Sequence, residues 1–191
     1  MTEIPSVRTK RLLLRAWQSS DRAPFARMNA DPHVMEHFPK LFSRAESDAA
    51  VDRMDRHWRE RGYGLWALER LDTGEFIGFV GLATASFEAA FTPAVEVGWR
   101  LAAAHWGQGF ATEGGRAALE FGFSRLDLAE VVSFTAVSNV KSIAVMQRLG
   151  MVHDAAMGFE HPAVPVGHPA RPHVLYRLAR QRWRDAASNR T

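Results

Sequence analysis

A chain of 191 residues, 47% hydrophobic and 24% charged, has the proportions of an ordinary globular protein and the length to bury one full core. It has no cysteine, which excludes disulfides, thiolate metal sites and a cysteine-borne covalent intermediate. Its formal charge of +3 is scattered among acids with no Lys/Arg block, and no apolar run reaches the roughly 18–20 residues of a membrane helix, so neither nucleic acid nor a membrane is an expected partner.

Residues 1–8 lack the apolar centre of a signal peptide, and a cytoplasmic location is expected. Arg11–Arg15 reads as a short apolar strand flanked by charge. Ser19 or Ser20 then precedes Asp21 as the cap of a helix through Phe25, Met28 and Asn29, which Asp31-Pro32 breaks. Ser47 is expected to open a second helix carrying Ala50, Val51, Met54 and Trp58 on one face and stopping at Gly62. Strands Tyr63–Arg70 and Phe76–Ala83 follow, joined by the Asp72-Thr-Gly74 turn. Ala94–Leu101 alternates cleanly: Val95, Val97, Trp99 and Leu101 face one way, Glu96, Gly98 and Arg100 the other.

After His105-Trp-Gly-Gln-Gly-Phe-Ala111 comes a helix from Thr112 to about Arg125. Its small residues Ala111, Gly115, Ala118 and Gly122 form a stripe that lets it lie close on a sheet. Val131–Val137 is a buried strand, and a short helix carries Ser142, Val145, Met146 and Leu149 as far as Gly150. Met151–Met157 and His173–Leu178 are the last strands, separated by a proline-rich loop over residues 159–172. Residues 1–183 are read as one domain and residues 184–191 as a frayed tail. The expected architecture is α/β (α+β mixed): one mixed sheet with helices on both faces.

Gly107-Gln-Gly109, between a strand and a helix start, is the most informative feature. Glycines there let the backbone approach a ligand, and the first helical turn offers unpaired N–H groups and partial positive charge, which suit a diphosphate. Other phosphate loops fit badly. No Gly-Lys-Ser/Thr follows, and Thr112 occupies the place of the third glycine of a dinucleotide loop.

Trp106-Gly-Gln-Gly-Phe-Ala-Thr-Glu113 resembles the acetyl-CoA loop of the GNAT superfamily, and its nearest branch is similar to the RimJ/RimL-like N-acetyltransferases of ribosomal-protein N-termini. Further matches run in the family's order: Thr9-Lys-Arg-Leu-Leu-Leu-Arg15, Gly64-Leu-Trp-Ala67, Ile77-Gly-Phe-Val-Gly-Leu82, Glu96-Val-Gly-Trp99, Asn139-x-x-Ser142 and Arg148-Leu-Gly-Met151. The resemblance implies a mostly antiparallel twisted sheet of about seven strands, splayed in the middle. It implies that acetyl-CoA is the co-substrate, with no metal. Backbone groups of Trp99, Arg100 and Leu101 would pair with its pantetheine arm, and Gly107, Gln108, Gly109, Phe110, Ala111 and Thr112 would hold its pyrophosphate. Asn139 would contact the pantetheine end and Ser142 would sit near the thioester sulfur. Two positions depart from the superfamily pattern: Trp106 replaces a frequent Arg or Gln, and Met146 replaces a tyrosine acid.

An amine attacks a thioester only when neutral, so a general base helps, and an N-terminal α-amine with a pKa near 8 needs only a mild one. Glu96 is the leading base, the bland alternative being an ion pair with Arg100. Ser142 is the favoured acid or thiolate-solvating group, the alternative being a helix cap. A backbone N–H at Val97 or Gly98 would polarise the carbonyl. Trp17, Phe38, Trp66 and Phe87 are candidate walls of an acceptor pocket, or simply core. Glu160 and His161 open the proline-rich segment and would reach the substrate side, unless His161 is a structural histidine. The expected reaction is direct transfer to a primary amine, with a peptide or protein N-terminus as acceptor, or a small amine or antibiotic. A homodimer is left open.

Two rival functions remain. His33-Val-Met-Glu-His37 matches a zinc-peptidase pattern, though on a short segment bounded by Pro32 and Pro39, a poor platform for a rigid metal site. A non-catalytic acyl-CoA-binding module is the other.

Overall fold

The computed structural model describes residues 4–188. Its strands line up as β1 (Val7–Arg8), β2 (Leu12–Arg15), β3 (Leu65–Arg70), β4 (Phe76–Thr84), β5 (Val95–Leu101), β6 (Glu130–Ala136), β9 (Pro172–Ala179) and β7 (Val152–His153). A further short strand, β8 (Phe159–Glu160), also pairs with β9. All neighbours are antiparallel except β5 and β6, which run parallel and share a single rung, Glu96 opposite Val132. The expected splay is therefore at the centre of the sheet. Among the described residues no helix is long and apolar enough to cross a membrane.

Hydrogen bonding at the two ends of β5 fixes which way its amides point. The Ala102 N–H donates to Ile77 O and the Ala94 carbonyl accepts from the Ala85 N–H, so even-numbered amides face β4. Odd-numbered ones face β6: the Val97 carbonyl accepts from Ser133 Oγ at 2.9 Å, and the Leu101 carbonyl from the Trp106 indole at 2.8 Å. The amide groups of Trp99, between them, open onto the gap where β6 no longer pairs.

Apolar alternation divides the core between the two faces. On one face α3 (Phe110–Ser124) and α4 (Val140–Arg148) cover Leu12, Leu14, Leu68, Val80, Leu82, Val97 and Leu101. The close approach of α3 depends most on Gly114, outside the expected stripe, where a Cβ would stand 2.9 Å from Val80 Cγ1. On the other face α1 (Arg22–Asn29) and α2 (Arg44–Arg61) pack Phe25, Met28 and Val51 against Trp17, Ala67 and Phe79.

Arg15 ties β2 to β3 and to the start of α1. Its guanidinium makes a bidentate pair with buried Asp21 at 2.7 and 2.9 Å and a third bond to Glu69 at 2.6 Å. Those partners raise its pKa against the opposing cost of burial.

Three expected boundaries move. Helix α2 starts at Arg44, not Ser47: Ser43 caps it in a reciprocal box with Glu46, while Ser47 is fully buried inside the helix. Met151–Met157 forms only the two-residue β7 and then a 3-10 turn over Ala155–Met157. Residues 184–188, expected to fray, belong to α5 (Arg180–Ser188), which Trp183 anchors in the core; residues 189–191 lie outside the described residues.

Candidate active site

The gap between β5 and β6 widens into a cleft of about 670 Å³ bounded by β5, the loop before α3, the first turns of α4 and the segment between α1 and α2. Glu96, Trp99, Arg100 and Leu101 line it from the strand, and Gly107, Gly109, Phe110, Ala111 and Thr112 from the loop. Asn139 and Ser142 line it from α4, with Phe38 opposite.

The loop is built to leave amides free. Gly107 and Gly109 adopt φ of 73° and 82°, the left-handed region that glycine enters without penalty. Gly109 is the N-cap of α3 and among the described residues no side chain caps that end, which leaves first-turn N–H groups without a helical partner at the edge of the cleft. Gln108 alone of the loop residues turns away, its amide bonded to Ala104 O at 3.0 Å.

The loop is held from behind by residues that sequence reasoning noted but did not explain. Glu113 accepts from Thr9 Oγ1 at 2.7 Å, from the Arg11 N–H at 2.8 Å and from Arg11 Nε at 2.6 Å. Arg11 also donates to Gln108 O and lies over the Phe110 ring. These contacts span more than 100 residues of chain, which is why Thr9 and Arg11 carry no local signal of their role.

Glu96 lies on the even face of β5. Burial pushes its carboxyl up to about 7, and no hydrogen bond or ion pair reaches it among the described residues. The bland alternative, a pair with Arg100, is not formed: Arg100 donates to Asn29 Oδ1 at 2.7 Å and stacks 4.1 Å from the centre of the Phe38 ring. Gly98 sits between them, and a Cβ there would meet nothing within 4 Å, so the face is open above it. Neither expected carbonyl-polarising amide opens onto the gap: Val97 faces β6, where the Glu96–Val132 rung engages its N–H, and Gly98 faces β4.

On α4 the cap is Asn139, whose Oδ1 accepts from the Ser142 N–H at 3.2 Å and whose amide reaches Thr135 Oγ1 at 3.0 Å. The Ser142 hydroxyl is thus not the cap, and it has no partner among the described residues. Met146, in the place of a tyrosine acid, is buried at the back of the cleft. Across the mouth, the Lys141 ammonium lies 4.1 Å from the centre of the Trp106 ring.

Five expected acceptor-side residues lie elsewhere. Trp66 is fully buried, its indole bonded to Pro5 O, and Trp17 packs in the second core cluster with its indole on Leu65 O. Phe87 and His161 form an aromatic group behind Phe134, with Phe159 and His173. Burial, then His173 and Arg171, push His161 down to about 4, so it is neutral at pH 7. Glu160 pairs with Arg171 at 2.7 Å and closes the proline-rich loop.

What the sequence reading missed is one wall of the cleft: His33, Val34, Glu36 and His37 line it. The segment is a run of turns, and His37 Nδ1 meets Ser138 Oγ at 3.2 Å across the cleft. Among the described residues no three metal-ligating side chains converge.

The chain matches the acetyltransferase (GNAT) domain over residues 11–152. It is 30% identical over 186 residues to the FsC-acetyl coenzyme A-N(2)-transacetylase of Aspergillus fumigatus, covering 94% of this chain and 78% of that one. It is 33% identical over 146 residues to the uncharacterized protein YkkB of Bacillus subtilis, covering 75% and 83% of the two chains. The crystal structure of an acetyltransferase from Agrobacterium tumefaciens superposes with a TM-score of 0.75 at 28% identity, over 93% of this chain and 96% of that one. The chain belongs to the GNAT acetyltransferase family and is an acetyl-CoA-dependent N-acetyltransferase.

Proposed function

We propose that this enzyme acetylates a peptide or protein N-terminal amine by direct attack in a ternary complex, as a member of the RimJ/RimL-like branch. The observation that carries the reading is a half-buried Glu96, unpaired among the described residues, in the same cleft as the uncapped start of α3. The branch rests on the motifs of the sequence, including Trp106 in place of Arg or Gln.

The residues present fit acetyl-CoA, which supplies an activated acetyl thioester when bound. Gly107 and the first-turn amides of Gly109 to Thr112 hold the diphosphate, and the gap-facing amide groups of Trp99 extend the sheet to the pantetheine arm. Asn139 adds a side-chain contact, as do Phe110 and Ala111 by packing. Glu96, poised near neutral pH, takes the proton of the attacking amine directly or through one water. The Ser142 hydroxyl serves the departing thiolate from α4. With no base beside it, this hydroxyl is not activated as a nucleophile, which favours direct transfer over an acyl-enzyme.

A peptide library with thiol release as readout tests the acceptor, and turnover of peptides above simple polyamines is expected. Gly109→Glu, which places an anion and a strained side chain at the loop, should abolish CoA binding while leaving the chain folded. Retained binding would refute the site. The relative named for acetylating N(2) of FsC favours a second reading, in which the acceptor is a small amine or an antibiotic.

A further inference from the structure

Arg100 is a cation without a counter-ion. Its Nε is buried and has no hydrogen-bond partner, and no carboxylate pairs with the guanidinium among the described residues. What holds it is neutral: Asn29 Oδ1 at 2.7 Å and the rings of Phe38, Phe79 and Phe42. Asn29 is itself fixed, its amide nitrogen donating to buried Ser47 Oγ at 3.0 Å, so its oxygen is kept turned to the guanidinium. An arrangement of this kind orients a buried guanidinium without neutralising it, and leaving it so is costly unless a ligand supplies the charge. Desolvation also pushes its pKa down to about 10, yet it remains a cation at pH 7.

The anion it awaits is not the cofactor's diphosphate. Arg100 points from the even face of β5 toward the α1–α2 side, whereas the free amides of α3 belong to the opposite layer. It shares its face and its cleft with Glu96, across the open space above Gly98. We infer that Arg100 receives a carboxylate carried by the acceptor and so selects acidic acceptors, while Glu96 handles the amine. This rests on the reading of the cleft as a peptide-amine site. Four residues of strand put about 13 Å between the two positions, so in an extended peptide the carboxylate belongs to an Asp or Glu at residue two to four.

The test uses acceptors in pairs that differ by one carboxylate: peptides with Glu or Gln at positions two to four, and 10-aminodecanoate, which spans about 13 Å, against decylamine. Wild-type enzyme should favour the acidic peptide by about ten- to hundredfold in kcat/KM. Calorimetry without acetyl-CoA should show the same preference in binding. Arg100→Met, which keeps apolar contact with the Phe38 ring, should bring the ratio close to one, and Arg100→Lys should keep part of it. Absence of a carboxylate preference in every wild-type pair overturns the inference, whatever the variants do. So does a preference that survives undiminished in folded Arg100→Met. Peptide turnover without acidic preference leaves the peptide reading standing and sinks this one. A preference seen only in the 10-aminodecanoate pair, with no peptide turned over, keeps the carboxylate site and sinks the peptide reading.

Discussion

Two sets of buried charge sit in the same sheet and are treated in opposite ways. Arg15 on β2 is saturated: Asp21 and Glu69 give it three charged bonds, and Asp21 also accepts from the Gln18 N–H. Glu96 and Arg100 on β5 share a face, yet among the described residues neither pairs with the other or with any other charge. Paired burial can be read as architecture. Unpaired burial costs free energy with no structural return, so the contrast marks β5 as the strand that waits for ligands.

The contrast can be broken experimentally. Asp21→Ala should cost the most, about 3 kcal/mol of unfolding free energy in denaturant titration, because it leaves Arg15 with Glu69 as its one carboxylate and removes the acceptor of the Gln18 N–H; a loss under about 1 kcal/mol would mean the network is not structural. Glu96→Gln should slow the chemical step by about 100-fold at pH 7 with little change in CoA affinity. The wild-type rate should rise with pH through about 7, and the variant should keep only the rise near pH 8 that deprotonation of the amine itself gives. A wild-type rate in Glu96→Gln would assign the base to water or another residue.

The same variant sharpens the comparison in stability. The Glu96 carboxyl has a pKa of about 7 when folded against 4.5 for the free group, so its burial costs nothing below about pH 4.5 and its full amount above about pH 7. Glu96→Gln should therefore be more stable than wild type by about 1–3 kcal/mol at pH 8 and equal to it at pH 4. The smallest effect is expected at Asn139→Ala: about 1 kcal/mol of stability for the lost α4 cap, with CoA affinity falling by one hydrogen bond's worth.

How much of this was legible depended on the distance over which each signal acts. The alternation of residues 95–101, the turn at Asp72-Thr-Gly74 and the glycine loop are local, and the structure keeps all three. The capping box at Ser43 and Glu46 was equally local but was passed over in favour of Ser47, which looks like a cap and is a buried partner of Asn29. The aromatic residues failed for another reason. Nothing in the sequence separates Trp66, sealed in the core, from Phe38, which lines the cleft, because both are large apolar rings and only the third dimension decides. The wall formed by His33, Val34, Glu36 and His37 carries no local signal of its place, because it is a run of turns whose position is set by long-range contacts such as His37 with Ser138.

The Lys141 ammonium resting over the Trp106 ring has a practical corollary. Of six tryptophans, Trp17, Trp58, Trp66 and Trp183 are packed away, while Trp99 and Trp106 border the cleft. A polyanion settling beside them would draw Lys141 off its indole, and indole emission responds to nearby charge. The enzyme thus carries its own unlabelled optical gauge of occupancy, readable by titrating CoA into a cuvette.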